Sequence, residues 1–173
     1  MIQNASAEHK EHRCGDHLDH SLLTALCPAM YLFHPDGQKG LSPLTVPAPT
    51  ASAGLFIRTR SGKELQAKIP SDCMAFQTGE ALQLLTGNQL QATPHYVAAG
   101  TDGAILPSVL STIQDKKAED PAWTDVQTGV ISRETMAVFL QPDVGEVIGS
   151  DGETFGQFTK RILESHYDNQ AER

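Results

Sequence analysis

Nowhere in the chain do apolar residues run on for the roughly 18 positions that a membrane helix requires, so no membrane partner is expected. Cysteine is scarce: Cys14, Cys27 and Cys73 are odd in number and form no C-x-x-C pair. That pattern speaks against a disulfide framework and for reduced thiols in a cytoplasmic compartment. The opening stretch 1–13 is polar and lacks the apolar centre of a secretory leader. Basic residues are in the minority, 13 Lys and Arg against 21 Asp and Glu. The resulting net charge of −8 removes the electrostatic basis for binding nucleic acid and is read as solubility.

What is present is a globular composition, 39% hydrophobic and 20% charged over 173 residues, enough for one domain with a sizeable core. Residues 1–14 show almost no apolar periodicity and are expected to form a polar arm. Ser21–Cys27 is an apolar run of strand length closed by Pro28. Pro28, Pro35, Pro43, Pro47 and Pro49 make Pro28–Ala53 read as a long loop. Gly54–Arg60 and Glu64–Ile69 flank the turn Ser61-Gly62-Lys63 as a hairpin, and Cys73–Gln77 and Thr93–Ala98 read as further strands. Gly79–Gly87 fits a short helix or strand, and Gly100–Gln127 a second long polar connection. Gly129–Leu140 is the last strand, stopped by Pro142. Phe155, Phe158, Ile162 and Leu163 then recur at helical spacing, which predicts an amphipathic helix over Glu153–Tyr167. Many short strands and one late helix make the chain all-β: a sandwich, jelly roll or barrel. Leu23, Leu55, Phe76, Val97 and Val138 are among the core candidates.

The stretch Gly15–Leu26 carries the chemistry, with His17-Leu18-Asp19 at its centre. On an extended strand side chains alternate, so His17 and Asp19 share one face while Leu18 and His20 take the other. A second histidine arriving from elsewhere would complete a 2-His-1-carboxylate set, which binds Fe(II) and leaves coordination positions open. By itself H-x-D is a weak signal, since a lone His–Asp pair is more often a surface hydrogen bond. His9, His12, His17 and His20 also form H-x2-H-x4-H-x2-H, a spacing that suits zinc. Structural zinc, however, usually recruits cysteine and a folded frame. His9 and His12 read better as a sporadic cluster on a solvated arm, and His20 faces away from the ligand side.

The order of the pieces resembles the Fe(II)/2-oxoglutarate-dependent dioxygenases, in their isopenicillin-N-synthase-like branch. The family's H-T-D-x-G-x-L-T-L-L is matched by H-L-D-H-S-L-L-T-A-L over His17–Leu26, and its G-L-Q-V by Gly54-Leu55-Phe56-Ile57. V-N-x-G-D-x-L resembles Phe76–Leu82. T-N-G-x-x-x-S-x-x-H-R-V resembles Thr86–Val97, ending in His95-Tyr96-Val97. R-x-S-x-x-x-F-x-x-P resembles Arg133–Pro142. Five ordered matches across 15–142 are far more specific than any one of them.

The resemblance implies a double-stranded β-helix (jelly roll) with a C-terminal α-helix: a polar arm 1–14, a dioxygenase core 15–142, and a helix and tail 143–173. It implies His17, Asp19 and His95 as ligands of Fe(II). Arg133 and Thr135 would bind the far carboxylate of 2-oxoglutarate, Thr135 from the same strand face as Arg133. Phe139 would face the prime substrate. The cofactors implied are Fe(II), 2-oxoglutarate and O2, with ascorbate as an auxiliary reductant. The activity implied is decarboxylation of 2-oxoglutarate to succinate and CO2, coupled to oxidation of a small organic molecule. Each residue has a plainer rival: a hydrogen-bonded histidine at His95, a surface cation at Arg133, and β propensity at Thr135.

The departures from the family pattern are specific. Thr135 stands for the usual Ser, Tyr96 for the Arg after the distal His, and Ser21 for a Gly. Family members are considerably longer, with an N-terminal half that backs the barrel and supplies a tyrosine absent before Tyr31 here. The chain therefore resembles the catalytic C-terminal half, and a face left uncovered would favour self-association. The alternative is a non-catalytic jelly-roll binding module, or an inactive truncated core, that keeps the fold and forms no succinate.

Overall fold

The computed structural model describes residues 2–4, 12–38, 40–100 and 104–171. Its strands are β1 Ile2–Asn4, β2 His12–His17, β3 Leu23–Leu26, β4 Met30–Pro35, β5 Leu44–Val46, β6 Gly54–Arg58, β7 Glu64–Ala67, β8 Ala75–Thr78, β9 His95–Ala98, β10 Gly129–Glu134 and β11 Ala137–Leu140. The helices are α1 Glu80–Leu85, α2 Pro107–Glu119 and α3 Phe155–Ala171, with a 3-10 turn at Pro121–Trp123. The makeup is that of a jelly roll: mostly antiparallel sheet, few helices, and a helix at the C-terminal end.

The chain divides into two compact units. The first comprises Met1–Asp16, Cys27–Cys73 and His95–Met136. One of its sheets runs β1-β10-β4-β5, with β1 parallel to β10 and the other pairs antiparallel. Ile131 of β10 lies opposite Phe33 of β4. These two are buried with Val46, Val109, Ile113, Trp123 and Val126 in one apolar cluster. Burying each such large side chain stabilises the fold by roughly 1.5–3 kcal/mol. Gly129 permits this packing, because a Cβ there would sit 2.4 Å from the Phe33 ring. A second sheet runs β2-β9-β6-β7. Its β6–β7 hairpin pairs Leu55 with Ala67 and Arg58 with Glu64, as the sequence predicts.

The second unit comprises His17–Leu26, Met74–Pro94 and Ala137–Arg173. Its sheet is β11-β3-β8, antiparallel throughout. Phe155 and Phe158 of α3 are buried against Ala81 of α1 and Ile148, with Leu22, Leu84 and Ile162 around them. The helical spacing read from the sequence thus forms a real apolar stripe, although Leu163 lies outside it and is exposed.

Several expectations are corrected. Two strands, β1 and the start of β2, lie in the stretch read as a polar arm. Pro28–Ala53 is not a plain loop, for it contains β4 and β5. Pro43 and Pro47 bracket β5 and Pro35 closes β4, where a missing N–H donor costs little. Gly100–Gln127 contains the 13-residue helix α2. Gly129–Leu140 is two strands in different sheets, because pairing switches from β4 to β3 after Glu134. Phe76 and Val138, expected in the core, are 62% and 46% exposed. Val138 lies opposite Ala25, and Ala25 opposite Phe76, so both stand on one open apolar face of the β11-β3-β8 sheet. His9 lies outside the described residues, and no helix of those described is long and apolar enough to cross a membrane. Cys27 and Cys73 are free thiols.

Candidate metal centre

Strand β2 ends on His17, and β9, beside it in the sheet, begins on His95. Asp19 follows two residues beyond the end of β2. The strand that was expected to carry both His17 and Asp19 therefore ends at His17. His17 Nε2 nonetheless lies 3.8 Å from Asp19 Oδ1, and the chain bends just after the pair, over residues 20–22.

That bend is held by backbone. The Glu80 N–H donates to the Asp19 carbonyl at 2.8 Å, and the Gly79 N–H to the Leu22 carbonyl at 3.0 Å. Gly79 is required for the approach, since a Cβ on it would lie 2.0 Å from the Ser21 carbonyl oxygen and 2.9 Å from that of Asp19. The start of α1 is thereby locked onto the segment that carries the carboxylate.

The Asp19 side chain is buried and hydrogen-bonded. Thr24 Oγ1 donates to Asp19 Oδ2 at 2.5 Å, and Gln77 Nε2 donates to the same oxygen. Thr24 is on β3 and Gln77 on β8, directly opposite one another. Sequence reasoning passed over both. For Thr24 the signal was there: it is a single polar side chain inside the apolar strand L-T-A-L, and a polar group so placed must find a partner.

His17, Asp19 and His95 each offer a ligand atom, and these atoms lie within 4.8 Å of one another. Metal–N and metal–O bonds of about 2.1 Å allow two donors of one ion to stand up to about 4.2 Å apart. Three donors cannot all stand opposite one another, and donors at right angles are about 3.0 Å apart, so the three ligand atoms lie near one another but wider than a bound ion would hold them. His95 is buried, whereas the His17 side chain is 37% exposed.

His20 is not part of this group. Its ring lies 3.6 Å from Glu80 Oε2 and packs edge-on against Phe158 with centroids 5.8 Å apart. Burial pushes the Glu80 carboxyl above its ordinary value of 4.5, while His20 and Arg161 pull the other way.

Arg133 stands on β10 opposite Tyr31 and shares a strand face with Ile131. Its Nε is buried and has no hydrogen-bond partner among the described residues. Thr135 lies in the connection between β10 and β11, so strand alternation does not carry it to the face of Arg133. Its hydroxyl donates to the Cys27 carbonyl at 3.2 Å. Phe139 of β11 lies opposite Thr24, which in turn lies opposite Gln77, so the three share one sheet face. The ring of Phe139 is 53% exposed there, beside the two side chains that hold Asp19.

No family model matches the chain, and no curated protein matches it. Solved structures do. A candidate oxygenase from Shewanella oneidensis superposes over 94% of this chain and 44% of its own, with TM-score 0.52 and 19% identity. A full-length Neurospora crassa protein, solved in complex with alpha-KG, covers 80% of this chain and 29% of its own, with TM-score 0.47 and 15% identity. A candidate 2OG-Fe(II) oxygenase family protein from Caulobacter crescentus covers 87% and 39%, with TM-score 0.47 and 19% identity. The chain shares its fold with the Shewanella protein and spans less than half the length of each of the three.

Proposed function

We propose that this chain is the catalytic core of an Fe(II)/2-oxoglutarate-dependent oxygenase of the isopenicillin-N-synthase-like branch, acting on a small organic substrate. The observation that carries the reading is the convergence of His17, Asp19 and His95 ligand atoms to within 4.8 Å. Two imidazoles and one carboxylate are the donor set that non-haem Fe(II) oxygenases use, and it leaves positions open for a chelating cosubstrate and O2. The Shewanella protein that shares this fold is itself named as an oxygenase, which agrees with that donor set.

His17, Asp19 and His95 would hold the ferrous ion, and Arg133 the far carboxylate of 2-oxoglutarate. A buried guanidinium nitrogen without a partner is costly, so the orphaned Nε of Arg133 supports a carboxylate ligand. The planar fork of arginine suits such a group. Thr135 would join it only by giving up its bond to the Cys27 carbonyl. Phe139 offers an apolar wall for the substrate. When bound, the iron supplies the redox chemistry that couples decarboxylation of 2-oxoglutarate, giving succinate and CO2, to oxidation of the substrate. The protein's part is to fix the ion through a buried carboxylate and anchor the cosubstrate.

Anaerobic titration of the chain with Fe(II) and 2-oxoglutarate tests this. A weak visible charge-transfer band should appear and be lost in His17→Ala and Asp19→Ala, and succinate should form on admission of air. Arg133→Met should weaken 2-oxoglutarate binding about 10- to 100-fold, the worth of charge-assisted hydrogen bonds of roughly 1.5–3 kcal/mol. A site using the N-terminal histidines would instead keep its metal in His95→Ala. Metal uptake with no succinate, whatever the substrate, would mark a binding module rather than an oxygenase.

A further inference from the structure

Resting on that reading of the metal centre, we propose that Arg58, Asp16 and Glu64 are positioning residues. They form an ionic clasp on the open face of the β2-β9-β6-β7 sheet, which holds the two histidine-bearing strands at the spacing the metal requires.

Strands β2 and β9 are neighbours in that sheet, with β6 and β7 beyond β9. His95 lies opposite Ile57 and the next residue, Tyr96, opposite Phe56, so Tyr96 and Phe56 share the face away from His95. Arg58 of β6 is on that face too, and so is Asp16, the residue before His17. Arg58 Nη1 reaches Asp16 Oδ2 at 2.7 Å, and Nη2 donates to Glu64 Oε1 at 3.1 Å. The other oxygen of Glu64 accepts from the Tyr96 hydroxyl at 3.3 Å. The Tyr96 ring stacks on Phe56, with centroids 5.1 Å apart and planes 5° from parallel. The chain neighbours of both candidate histidine ligands are thus tied to one guanidinium, Asp16 directly and Tyr96 through Glu64.

This arrangement accounts for a departure in the sequence. Tyr96 stands where the family pattern has an arginine. Here the cation of this face comes from β6 instead, and its two terminal nitrogens serve two carboxylates at once, which a lysine ammonium at the same position is poorly shaped to do. The unfilled ligand atoms already stand wider than an ion would hold them. Any further slack between β2 and β9 would therefore cost affinity.

Arg58, Asp16 and Glu64 are 41%, 42% and 49% exposed, and an exposed ion pair shifts an equilibrium by at most about fivefold. Two such pairs on one guanidinium put the expected effect at about three- to tenfold in metal affinity. Its sign separates positioning from long-range charge. Deleting a cation near a metal site should, by Coulomb's law alone, tighten the binding of another cation. Opening the clasp should weaken it.

The test is anaerobic Fe(II) calorimetry and Co(II) visible absorption on the full chain, comparing wild type with Arg58→Met, Arg58→Lys, Lys63→Met and Asp19→Ala. Arg58→Met should bind Fe(II) about three- to tenfold more weakly and shift the Co(II) bands, since the imidazoles then meet the ion at altered angles. Arg58→Lys keeps the charge but not the fork, and should bind about two- to threefold more weakly. Lys63→Met makes the same charge change in the turn of the same hairpin and should not weaken binding. Salt at about 1 M, where the screening length is roughly 3 Å, should narrow the gap between wild type and Arg58→Met. Should Arg58→Met fail to fold, Arg58→Lys decides alone.

Unchanged or tighter Fe(II) binding in the folded Arg58 variants, with metal lost in Asp19→Ala, would overturn the proposal and leave the metal centre standing. So would equal weakening in Lys63→Met, or a lower melting temperature with affinity and spectrum unmoved. A wild-type chain that takes up no metal, or whose uptake survives Asp19→Ala, would sink the metal centre itself and this inference with it.

Discussion

Asp19 is the member of the trio most dependent on its surroundings, since it is buried and anchored at both backbone and side chain. The closest steric contact in that anchoring is at Gly79. Gly79→Ala would drive a Cβ to 2.0 Å from the Ser21 carbonyl, and backbone rather than a flexible side chain would have to yield. The expected cost is about 1–3 kcal/mol of stability, as for overpacking, measured by urea denaturation. Metal affinity should fall as well, because the segment that moves is the one carrying Asp19. At this scale much of the site was legible. His17, Asp19 and His95 are named by the order of motifs, and the coordinates bring their ligand atoms together. Thr24 and Gln77 were not, because which carboxylate a buried polar side chain serves depends on strand pairing rather than on its neighbours in the chain.

Among the elements, α1 carries a pH-dependent contribution to stability. Burial raises the Glu80 carboxyl above its ordinary value of 4.5, so the folded chain holds a proton there that the unfolded chain has released. Stability from this group is therefore complete below about pH 4.5 and is lost as pH rises through the raised folded value. Glu80→Gln should remove that decline, seen as a flatter dependence of the urea midpoint on pH over the window. The elements misread in the sequence share a cause. Prolines made 28–53 look like loop, yet Pro35, Pro43 and Pro47 sit at strand ends. The helix α2 buries only Val109 and Ile113, four residues apart, behind a polar surface, and Pro107 at its first position is its clearest start signal. The break between β10 and β11 has no strong turn residue to announce it. Thr135 and Met136 sit where the strand changes partner.

At the scale of the molecule, each compact unit carries its own apolar cluster. Ile131→Ala should cost roughly 2–5 kcal/mol, and Phe158→Ala about 3–5 kcal/mol, because both side chains are buried and neither site can collapse fully. Chemical denaturation checks both. By sequence alone, alternation and turn residues determined the β6–β7 hairpin, helical spacing determined α3, and the ordered motifs determined the identity of the candidate ligands, since each is written in residues close along the chain. Tertiary structure alone decided that Phe76 and Val138 stay exposed, that Gly129–Leu140 divides between two sheets, and that Thr24 and Gln77 close on one oxygen of Asp19. Those outcomes depend on which strand lies beside which, and strand pairing joins residues far apart in sequence at a cost in chain entropy that only the assembled fold repays.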